Sequence, residues 1–298
     1  MAFPVIDLNQ FPDPEGYKRL REASEQWGCF RLVNHKIPLS LMSEMKKVVR
    51  SLLDLPTEIK KNNTDVIYGS GYVAPSKVNP LNEGLGLCYL GSSETVHTFC
   101  SQLGASSYQR EVIEKYAEAV YEQMMDLGDK LAQSFELQSD FLKEWLCQFR
   151  FNKYNFTSES VGSPGLELHT DSGFLTILQD DESVGGLEVM DRQSGALVPV
   201  DPCPGTFVVN VGDTAKAWSN GRLCNGRHRV QCKEGSVRVS IAFLLLGPKE
   251  EAVEAPLEFV DSEHPRLYVP FTYEEFRMIR LSKHLRDGDA LELVRIKS

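Results

Sequence analysis

The stretch Leu166-Glu167-Leu168-His169-Thr170-Asp171-Ser172-Gly173-Phe174 places an imidazole and a carboxylate two residues apart. In an extended strand, residues i and i+2 point to the same face, so one strand end can offer both His169 and Asp171 to one metal ion. A third ligand has to come from a distant strand, and the candidate is His228, within Gly226-Arg227-His228-Arg229-Val230. The sequence therefore predicts a metal site built from these three side chains.

The combination of ligands indicates which metal is bound. Two histidines and one carboxylate form the facial triad of non-haem Fe(II) oxygenases, which leaves coordination positions open for substrate chemistry. A His-x-Asp tripeptide alone is weak evidence, because most such tripeptides bind no metal. The interpretation therefore depends on a second motif further along the chain.

Arg238-Val239-Ser240 is a second pair of polar residues at positions i and i+2, and it lies in an apolar run from 237 to 246. The run predicts a buried strand, and a buried arginine needs an anionic partner. One interpretation is an internal salt bridge to an aspartate or glutamate. The other, which the upstream triad favours, is a bidentate clamp on the carboxylate of a cosubstrate, with Ser240 donating a further hydrogen bond.

The succession of His169-x-Asp171, His228 and Arg238-x-Ser240 resembles that of the plant 2-oxoglutarate- and Fe(II)-dependent dioxygenases. The resemblance covers nearly the whole chain. The similar segments are Phe3–Leu8, Trp27–His35, Gly69–Tyr72, Leu168–Asp181 and Trp218–Asn225. The last three are also similar to the group within that family that oxidises auxin.

This resemblance implies an oxidoreductase reaction and its cofactors. Enzymes of this family oxidise a small plant metabolite, commonly by hydroxylation, with O2. They couple this step to the decarboxylation of 2-oxoglutarate to succinate and CO2, and ascorbate supports the activity of some. The resemblance implies that His169, Asp171 and His228 are the catalytic ligands of Fe(II). A carboxylate at position 171 implies hydroxylation or a related oxidation rather than halogenation.

The resemblance also implies four residues that bind 2-oxoglutarate. Arg238 and Ser240 would hold its distal carboxylate, and Tyr154 in Asn152-Lys153-Tyr154 would complete that clamp. Asn152 would lie nearer the iron. The alternative for Tyr154 is an ordinary aromatic residue of a strand.

The substrate is predicted less directly than the cofactors. The auxin-oxidising group converts indole-3-acetic acid to 2-oxindole-3-acetic acid. Asn82, Lys216 and Gly226 depart from the pattern of that group, so we expect them to reshape the pocket or its mouth. The candidate substrate contacts are Tyr68, Tyr72, Asn82, Leu85 and Lys216. For the aromatic and apolar members of this set, the alternative is that they simply cover the core.

Other functions remain open on the same motifs. A dioxygenase of the same scaffold could act on a different small molecule, such as an alkaloid or another aromatic metabolite. An oxidase of the same scaffold would not consume 2-oxoglutarate, and release of succinate would distinguish the two. A non-enzymatic binding module would need neither the triad nor the clamp, and measurement of iron content and oxygen uptake would identify it.

Strand periodicity predicts the fold class. From about Trp145 the chain contains eight short strand-like runs separated by turn signals, which is typical of a sandwich or barrel. Eight strands around a metal suggest a double-stranded β-helix, the cupin-like jelly roll. The predicted class is α+β with a mainly β core and helices at both ends. One long helix is expected between Tyr108 and Leu137, and Thr272-Tyr273-Glu274-Glu275 predicts the capping box of another.

The predicted organisation is one compact unit with three parts. Residues 1–144 form a mixed region of helices, strands and pocket-lining loops, with the least periodic stretch at 62–105. Residues 145–247 form the Fe(II) and 2-oxoglutarate core, and residues 248–298 form a helical C-terminal segment. We see no flexible linker that would divide these parts into independent domains.

Composition excludes several classes of partner. The chain of 298 residues has a formal net charge of −10, which disfavours nucleic acid and anionic membranes. It has no apolar run near the ~20 residues that span a bilayer, and no signal peptide at its start. Seven cysteines without a Cys-x-x-Cys pair indicate reduced thiols in a cytoplasmic protein. We expect a monomer that acts on a small molecule.

Overall fold

The computed structural model describes residues 2–64, 67, 70–89, 91–137, 142 and 145–297. The strands are β1 (Val5–Asp7), β2 (Cys29–Val33), β3 (Asn82–Tyr89), β4 (Trp145–Tyr154), β5 (Pro164–His169), β6 (Leu175–Gln179), β7 (Leu187–Met190), β8 (Leu197–Pro199), β9 (Phe207–Val211), β10 (His228–Gln231) and β11 (Arg238–Pro248). The helices are α1 (Pro14–Gln26), α2 (Leu39–Leu53), α3 (Thr57–Lys60), α4 (Ser93–Leu103), α5 (Ser107–Gln133), α6 (Asp213–Trp218) and α7 (Tyr273–Ser282).

Two facing sheets form the centre of the protein. One has seven strands in the order β1-β2-β9-β6-β11-β4-β3, and the other has four in the order β5-β10-β7-β8. The eight consecutive strands β4 to β11 contribute four neighbours to each sheet, as in a jelly roll. This arrangement confirms the predicted fold class. The N-terminal strands β1, β2 and β3 extend the larger sheet at its two edges.

The alternation of side chains along β11 separates the site from the core. Val239, Ile241 and Phe243 belong to the hydrophobic core that also contains the helices α2 and α5. Arg238 and Ser240 point to the opposite face and line the cavity between the two sheets. A period of two is the geometry of any strand, so the polar residues of β11 share one face because they are two positions apart.

Side-chain caps begin three of the helices, α1, α5 and α7. The side chain of Asp13 accepts a hydrogen bond from the backbone N–H of Glu15, and Pro14 occupies the first position of α1. Thr272 and Glu275 form the reciprocal capping box of α7. The prediction of that box, and of the long helix now seen as α5, is therefore confirmed.

The stretch 62–105 is more regular than its glycines suggest. It contains the eight-residue strand β3 and the helix α4. Glycine is required in this strand because a Cβ on Gly86 would lie 1.6 Å from the carbonyl oxygen of Ser70. Gly86 therefore reflects the close approach of two backbone segments, and the low periodicity of this stretch does not prevent a regular strand and helix at 82–103.

The first two predicted parts share one sheet. From the first 144 residues, β2 pairs with β9 and β3 pairs with β4 of the jelly roll, and β1 pairs with β2. The bounds 1–144, 145–247 and 248–298 themselves stay a prediction. No helix within the described ranges is long and apolar enough to cross a membrane.

Candidate metal and cosubstrate site

The jelly roll brings His169, Asp171 and His228 together. His169 ends β5 and His228 begins β10, and the two residues are direct partners in the antiparallel pairing of these strands. Asp171 Oδ1 lies 3.8 Å from His169 Nε2 and 3.9 Å from His228 Nε2. The three ligand atoms all lie within 4.8 Å of one another. This spacing allows all three to bind a single ion.

Backbone carbonyl groups orient both imidazoles. His169 Nδ1 donates to the carbonyl oxygen of Glu167 at 2.8 Å, and His228 Nδ1 donates to that of Gly226 at 3.1 Å. A proton on Nδ1 leaves the lone pair of Nε2 directed at the shared centre. Burial, and then the neighbouring His228, lowers the pKa of His169. A neutral imidazole is the form that binds a metal.

Asp171 is held by its other carboxylate oxygen. Its Oδ2 accepts hydrogen bonds from Thr176 Oγ1 at 2.6 Å and from Asn210 Nδ2 at 3.3 Å. Burial acts to raise the pKa of Asp171, but the two histidines and these hydrogen bonds outweigh it and lower the pKa. The Cys29 thiol donates to Asn210 Oδ1 and so fixes the orientation of the amide. Oδ1 of an ionised carboxylate is thereby left for the metal.

These supporting hydrogen bonds were not predicted from the sequence, although Thr176 and Asn210 gave a signal for them. Thr176 and Asn210 are polar residues within the apolar strands Leu175–Gln179 and Phe207–Val211. Buried polar groups in such strands require partners. Nothing in the sequence pointed to Cys29, which lies far from both strands along the chain.

The residues predicted to bind 2-oxoglutarate lie on two neighbouring strands. Arg238 is paired with Tyr154, and Ser240 with Asn152, in the antiparallel register of β11 and β4. Arg238 is fully buried, and its guanidinium carbon lies 4.9 Å from the centre of the Tyr154 ring. All four side chains line the cavity that contains the metal ligands, which has a volume of about 420 Å³.

The surroundings of Arg238 are consistent with both interpretations of its motif, the internal salt bridge and the carboxylate clamp. Its Nη2 forms an ion pair with Asp180, which is the internal salt bridge. Its Nε and Nη1 are buried and have no hydrogen-bond partner among the described residues. Unsatisfied buried guanidinium donors are costly, and a carboxylate that accepts from Arg238 would relieve part of that cost. The distal carboxylate of 2-oxoglutarate therefore fits this position.

The run Asp180-Asp181-Glu182 predicts a solvated turn, and the structure corrects this for Asp181. Asp181 is buried and accepts hydrogen bonds from the backbone N–H groups of Val239 and Val184 and from the Arg50 guanidinium. Val239 and Arg50 belong to β11 and α2, which lie far away along the chain. A run of acidic residues does not reveal such partners.

The predicted substrate residues are dispersed. Asn82 lines the cavity. Leu85 is fully buried in the hydrophobic core on the opposite face of β3, so its assignment to the pocket is corrected. Tyr72 lies outside the cavity lining, and its hydroxyl donates to Glu83 at 3.2 Å. Tyr68 falls outside the described residues.

Lys216 also lies away from the cavity. Its ammonium group donates to Asn225 Oδ1 at 3.0 Å, in a separate cleft that Trp27 also lines. Gly226 has a packing explanation, because a Cβ there would lie 2.5 Å from the carbonyl oxygen of Gly28. The expectation that Lys216 and Gly226 reshape the metal pocket is therefore corrected.

Arginine side chains line the cavity near α7. They are Arg150, Arg277, Arg280 and Arg286. The acidic residues of the lining are Glu167 and Asp171. Leu281 and Leu285 add apolar surface on the same side. A cavity lined in this way favours a small, partly apolar molecule with a negative charge.

Comparisons with known proteins agree with this geometry. Residues 145–246 match the 2OG-Fe(II) oxygenase superfamily, and residues 3–85 match the N-terminal region described as non-haem dioxygenase in morphine synthesis. The chain is 51% identical to the 2-oxoglutarate-dependent dioxygenase DAO of Oryza sativa subsp. indica, over 98% of both chains.

Solved structures give the same result. The crystal structure of the rice dioxygenase for auxin oxidation matches with a TM-score of 0.92 and 50% identity, over 99% of this chain and 100% of that one. The complex of dioxygenase for auxin oxidation 1 from Arabidopsis thaliana with 2-oxoglutarate matches with a TM-score of 0.86 and 57% identity, over 89% of this chain and 100% of that one. The protein therefore belongs to the 2-oxoglutarate- and Fe(II)-dependent oxygenases, and the predicted enzyme class and cofactors are confirmed.

Proposed function

We propose that this enzyme oxidises auxin, indole-3-acetic acid, and couples the oxidation to the decarboxylation of 2-oxoglutarate. The observation that carries the proposal is the full-length similarity to two dioxygenases for auxin oxidation. The cavity supports it, because auxin combines an apolar ring with one carboxylate, and the lining near α7 combines leucines with arginines.

In this proposal His169, Asp171 and His228 hold Fe(II). The hydrogen bonds to Glu167 and Gly226 direct the imidazoles, and those from Thr176 and Asn210 direct the carboxylate. The bound iron supplies the oxidising chemistry that uses O2 and 2-oxoglutarate. The protein's part is to keep one face of the metal occupied and the opposite face open to the cavity.

Arg238, Ser240 and Tyr154 bind the distal carboxylate of 2-oxoglutarate. Support comes from Arg238, whose buried Nε and Nη1 have no hydrogen-bond partner among the described residues and are available to a carboxylate. Burial raises the pKa of Tyr154, which keeps its hydroxyl protonated and able to donate. Asn152 lines the same cavity, and we assign it to the metal end of the cosubstrate.

The substrate carboxylate interacts with the cationic side of the cavity. Arg277 of α7 and Arg150 of β4 both line the cavity, whereas the charge of Arg280 is paired with Asp213. Positive charge within a partly buried cavity attracts an anion more strongly than the same charge in water. A neutral analogue of auxin should therefore bind more weakly than auxin itself.

The test is a coupled assay on the purified, Fe(II)-loaded enzyme. Succinate and substrate are followed together by mass spectrometry, with indole-3-acetic acid, neutral indole-3-acetamide and unrelated aromatic metabolites as candidates. The proposal expects succinate formed in step with a product of indole-3-acetic acid that has gained one oxygen atom. Succinate coupled only to another metabolite would overturn auxin as the substrate and leave the reaction class intact.

We also propose that the enzyme functions in the cytoplasm. All seven cysteines lie in the described part of the chain, no disulfide joins any two of them, and six are buried. Cysteines that are not joined by a disulfide suit a reducing compartment. Fluorescence microscopy of a tagged full-length chain tests this location. The monomeric state stays a prediction, which sedimentation analysis would check.

A further inference from the structure

Lys46 is a buried cation to which the mechanism above gives no role. It lies in α2, and only 7% of the residue is exposed. Its ammonium group donates hydrogen bonds of 2.7 Å to the carbonyl oxygens of Asp180 and Val239. Asp180 directly follows β6, and Val239 lies in β11, so one side chain joins two neighbouring strands beside the cavity.

The two residues that Lys46 holds are also the ones that position Arg238. The carboxylate of Asp180 forms the ion pair with Arg238 Nη2, and Val239 is its neighbour in the chain. Val239 is fixed a second time, because its backbone N–H donates to Asp181 Oδ2 at 2.9 Å. The ion pair through Nη2 limits how the guanidinium can turn, so its remaining donors keep a fixed orientation. Donors that are already oriented bind a carboxylate with a smaller loss of entropy.

The charges of this cluster are unevenly paired. Lys46, Arg50 and Arg238 are cations, and Asp180, Asp181 and Glu182 are the carboxylates around Lys46. Asp180 and Asp181 form ion pairs with the two arginines, whereas the Lys46 ammonium donates to carbonyl oxygens. The charge of Lys46 therefore adds to that of the nearby Arg238 in attracting a carboxylate.

Burial changes how Lys46 titrates. It lowers the pKa of Lys46 to about 8, and nearby carboxylates only partly oppose this effect. The charged groups around the ammonium are Asp180, Asp181, Glu182, Arg238 and Arg50. Tyr154 stays protonated well above this range, because burial raises its pKa as well. The net charge of the cluster can therefore be changed by pH while the clamp residues keep their protonation states.

We propose that Lys46 is a positioning residue for the cosubstrate, which holds Asp180 and Val239 so that Arg238 points at the distal carboxylate of 2-oxoglutarate. The positive charge of Lys46 also favours the binding of that carboxylate. The inference rests on the proposed role of Arg238. It requires Lys46 to act on the distal end of the cosubstrate and not on the end that binds the metal.

The experiment compares 2-oxoglutarate with 2-oxopentanoate, which has the same chain length but lacks the distal carboxylate. Dissociation constants are measured by isothermal titration calorimetry on the full chain loaded with Mn(II), at a pH near neutral and at a pH of about 9.5, above the pKa of Lys46. Because both ligands share the metal-binding end, the ratio of the two constants reports the distal clamp alone. In the unchanged protein, we expect the preference for 2-oxoglutarate to fall severalfold at the higher pH.

Substitution of Lys46 should reduce the preference for 2-oxoglutarate and remove its dependence on pH. Near neutral pH, Lys46→Met is expected to weaken the binding of 2-oxoglutarate about tenfold and that of 2-oxopentanoate less than about twofold. The preference of this variant for 2-oxoglutarate should not fall further at the higher pH. Lys47→Met is the matched control, because it makes the same change at the next, exposed position and should leave both constants unchanged.

The outcomes separate this inference from the proposed clamp. If Arg238→Met keeps the preference for 2-oxoglutarate, the clamp itself is wrong. If Arg238→Met abolishes the preference while Lys46→Met keeps it, only the role of Lys46 is overturned. Equal weakening of both ligands in Lys46→Met would also overturn it, because a general disturbance of the fold would explain that result.

A folding failure does not leave the inference untested. If Lys46→Met does not yield folded protein, Lys46→Gln retains a donor for one of the two carbonyl groups. It lacks the charge, so its preference for 2-oxoglutarate should still be reduced and independent of pH. An unreduced preference in Lys46→Gln, or a preference of the unchanged protein that is constant with pH, contradicts the inference.

Discussion

Arg280 in α7 donates a hydrogen bond of 2.8 Å to the carbonyl oxygen of Thr170, the residue between two of the proposed metal ligands. The same guanidinium donates to Thr170 Oγ1 at 3.1 Å and forms an ion pair with the fully buried Asp213. The backbone N–H of Thr170 in turn donates to the carbonyl oxygen of Arg286 at 2.9 Å. The C-terminal segment thus fixes the backbone on which the metal ligands are placed.

Arg280→Met should therefore weaken both the fold and the metal site. It leaves the Asp213 carboxylate buried without its cation, which costs about 3–5 kcal/mol in the free energy of unfolding. Urea denaturation of the metal-free protein measures this loss, and titration with Mn(II) measures the metal affinity. Lys283→Met, at an exposed position after the same helix, should change stability by less than about 0.5 kcal/mol. Equal stabilities of the two variants would contradict this account.

Thr176→Val tests the hydrogen bond that orients Asp171. The substitution keeps the shape of the side chain but removes the hydroxyl that donates to Asp171 Oδ2. Loss of such a supporting contact typically lowers metal affinity by about 10–100-fold. Metal titration gives the affinity, with Thr98→Val on the exposed face of α4 as the control. If Thr176→Val binds the metal as tightly as Thr98→Val, the hydrogen bond from Asn210 alone is enough to orient Asp171.

The sequence predicted the ligands because their chemistry and strand positions determine them. His169 and Asp171 share a face through the period of a strand, and the pairing of β5 with β10 brings His228 opposite His169. The buried strand of Arg238 likewise follows from its apolar neighbours. These features depend on local spacing, which the sequence records directly.

The residues that the sequence analysis missed depend on contacts between distant segments. Lys46, Arg50 and Cys29 reach the site from α2 and β2, and no spacing in the sequence links them to it. Leu85 was misassigned for a related reason. Its strand contains glycines that resemble a loop, and only the pairing of β3 with β4 decides which face the leucine occupies.

The depressed pKa of Lys46 predicts how stability changes with pH. The folded state lowers this pKa to about 8 from the ordinary value of 10.5. Between these values the unfolded chain binds more protons than the folded one, so this group adds stability as pH rises. The difference in free energy of unfolding between the unchanged protein and Lys46→Met should grow by roughly 3 kcal/mol from about pH 7.5 to about pH 10.5.

Urea denaturation at several pH values across this range measures that difference. The corresponding difference for Lys47→Met should stay constant, because Lys47 is exposed. If the free energies of unfolding of the unchanged protein and of Lys46→Met change in parallel with pH, the buried ammonium is not destabilised by its surroundings.

Gly226→Ala should disturb the start of β10 and, with it, His228. The new Cβ would lie 2.5 Å from the carbonyl oxygen of Gly28 and 3.0 Å from Cys29 Sγ, so the backbone has to shift. Such overpacking costs about 1–3 kcal/mol. The carbonyl group of Gly226 also orients His228 Nδ1, so metal affinity should fall together with stability.

Gly185→Ala is the control, because its Cβ would meet nothing closer than Pro202 at 3.7 Å. Thermal denaturation measures the stability of both variants, and Mn(II) titration measures their metal affinity. A Gly226→Ala protein that matches Gly185→Ala in both would mean that this glycine is not needed for packing.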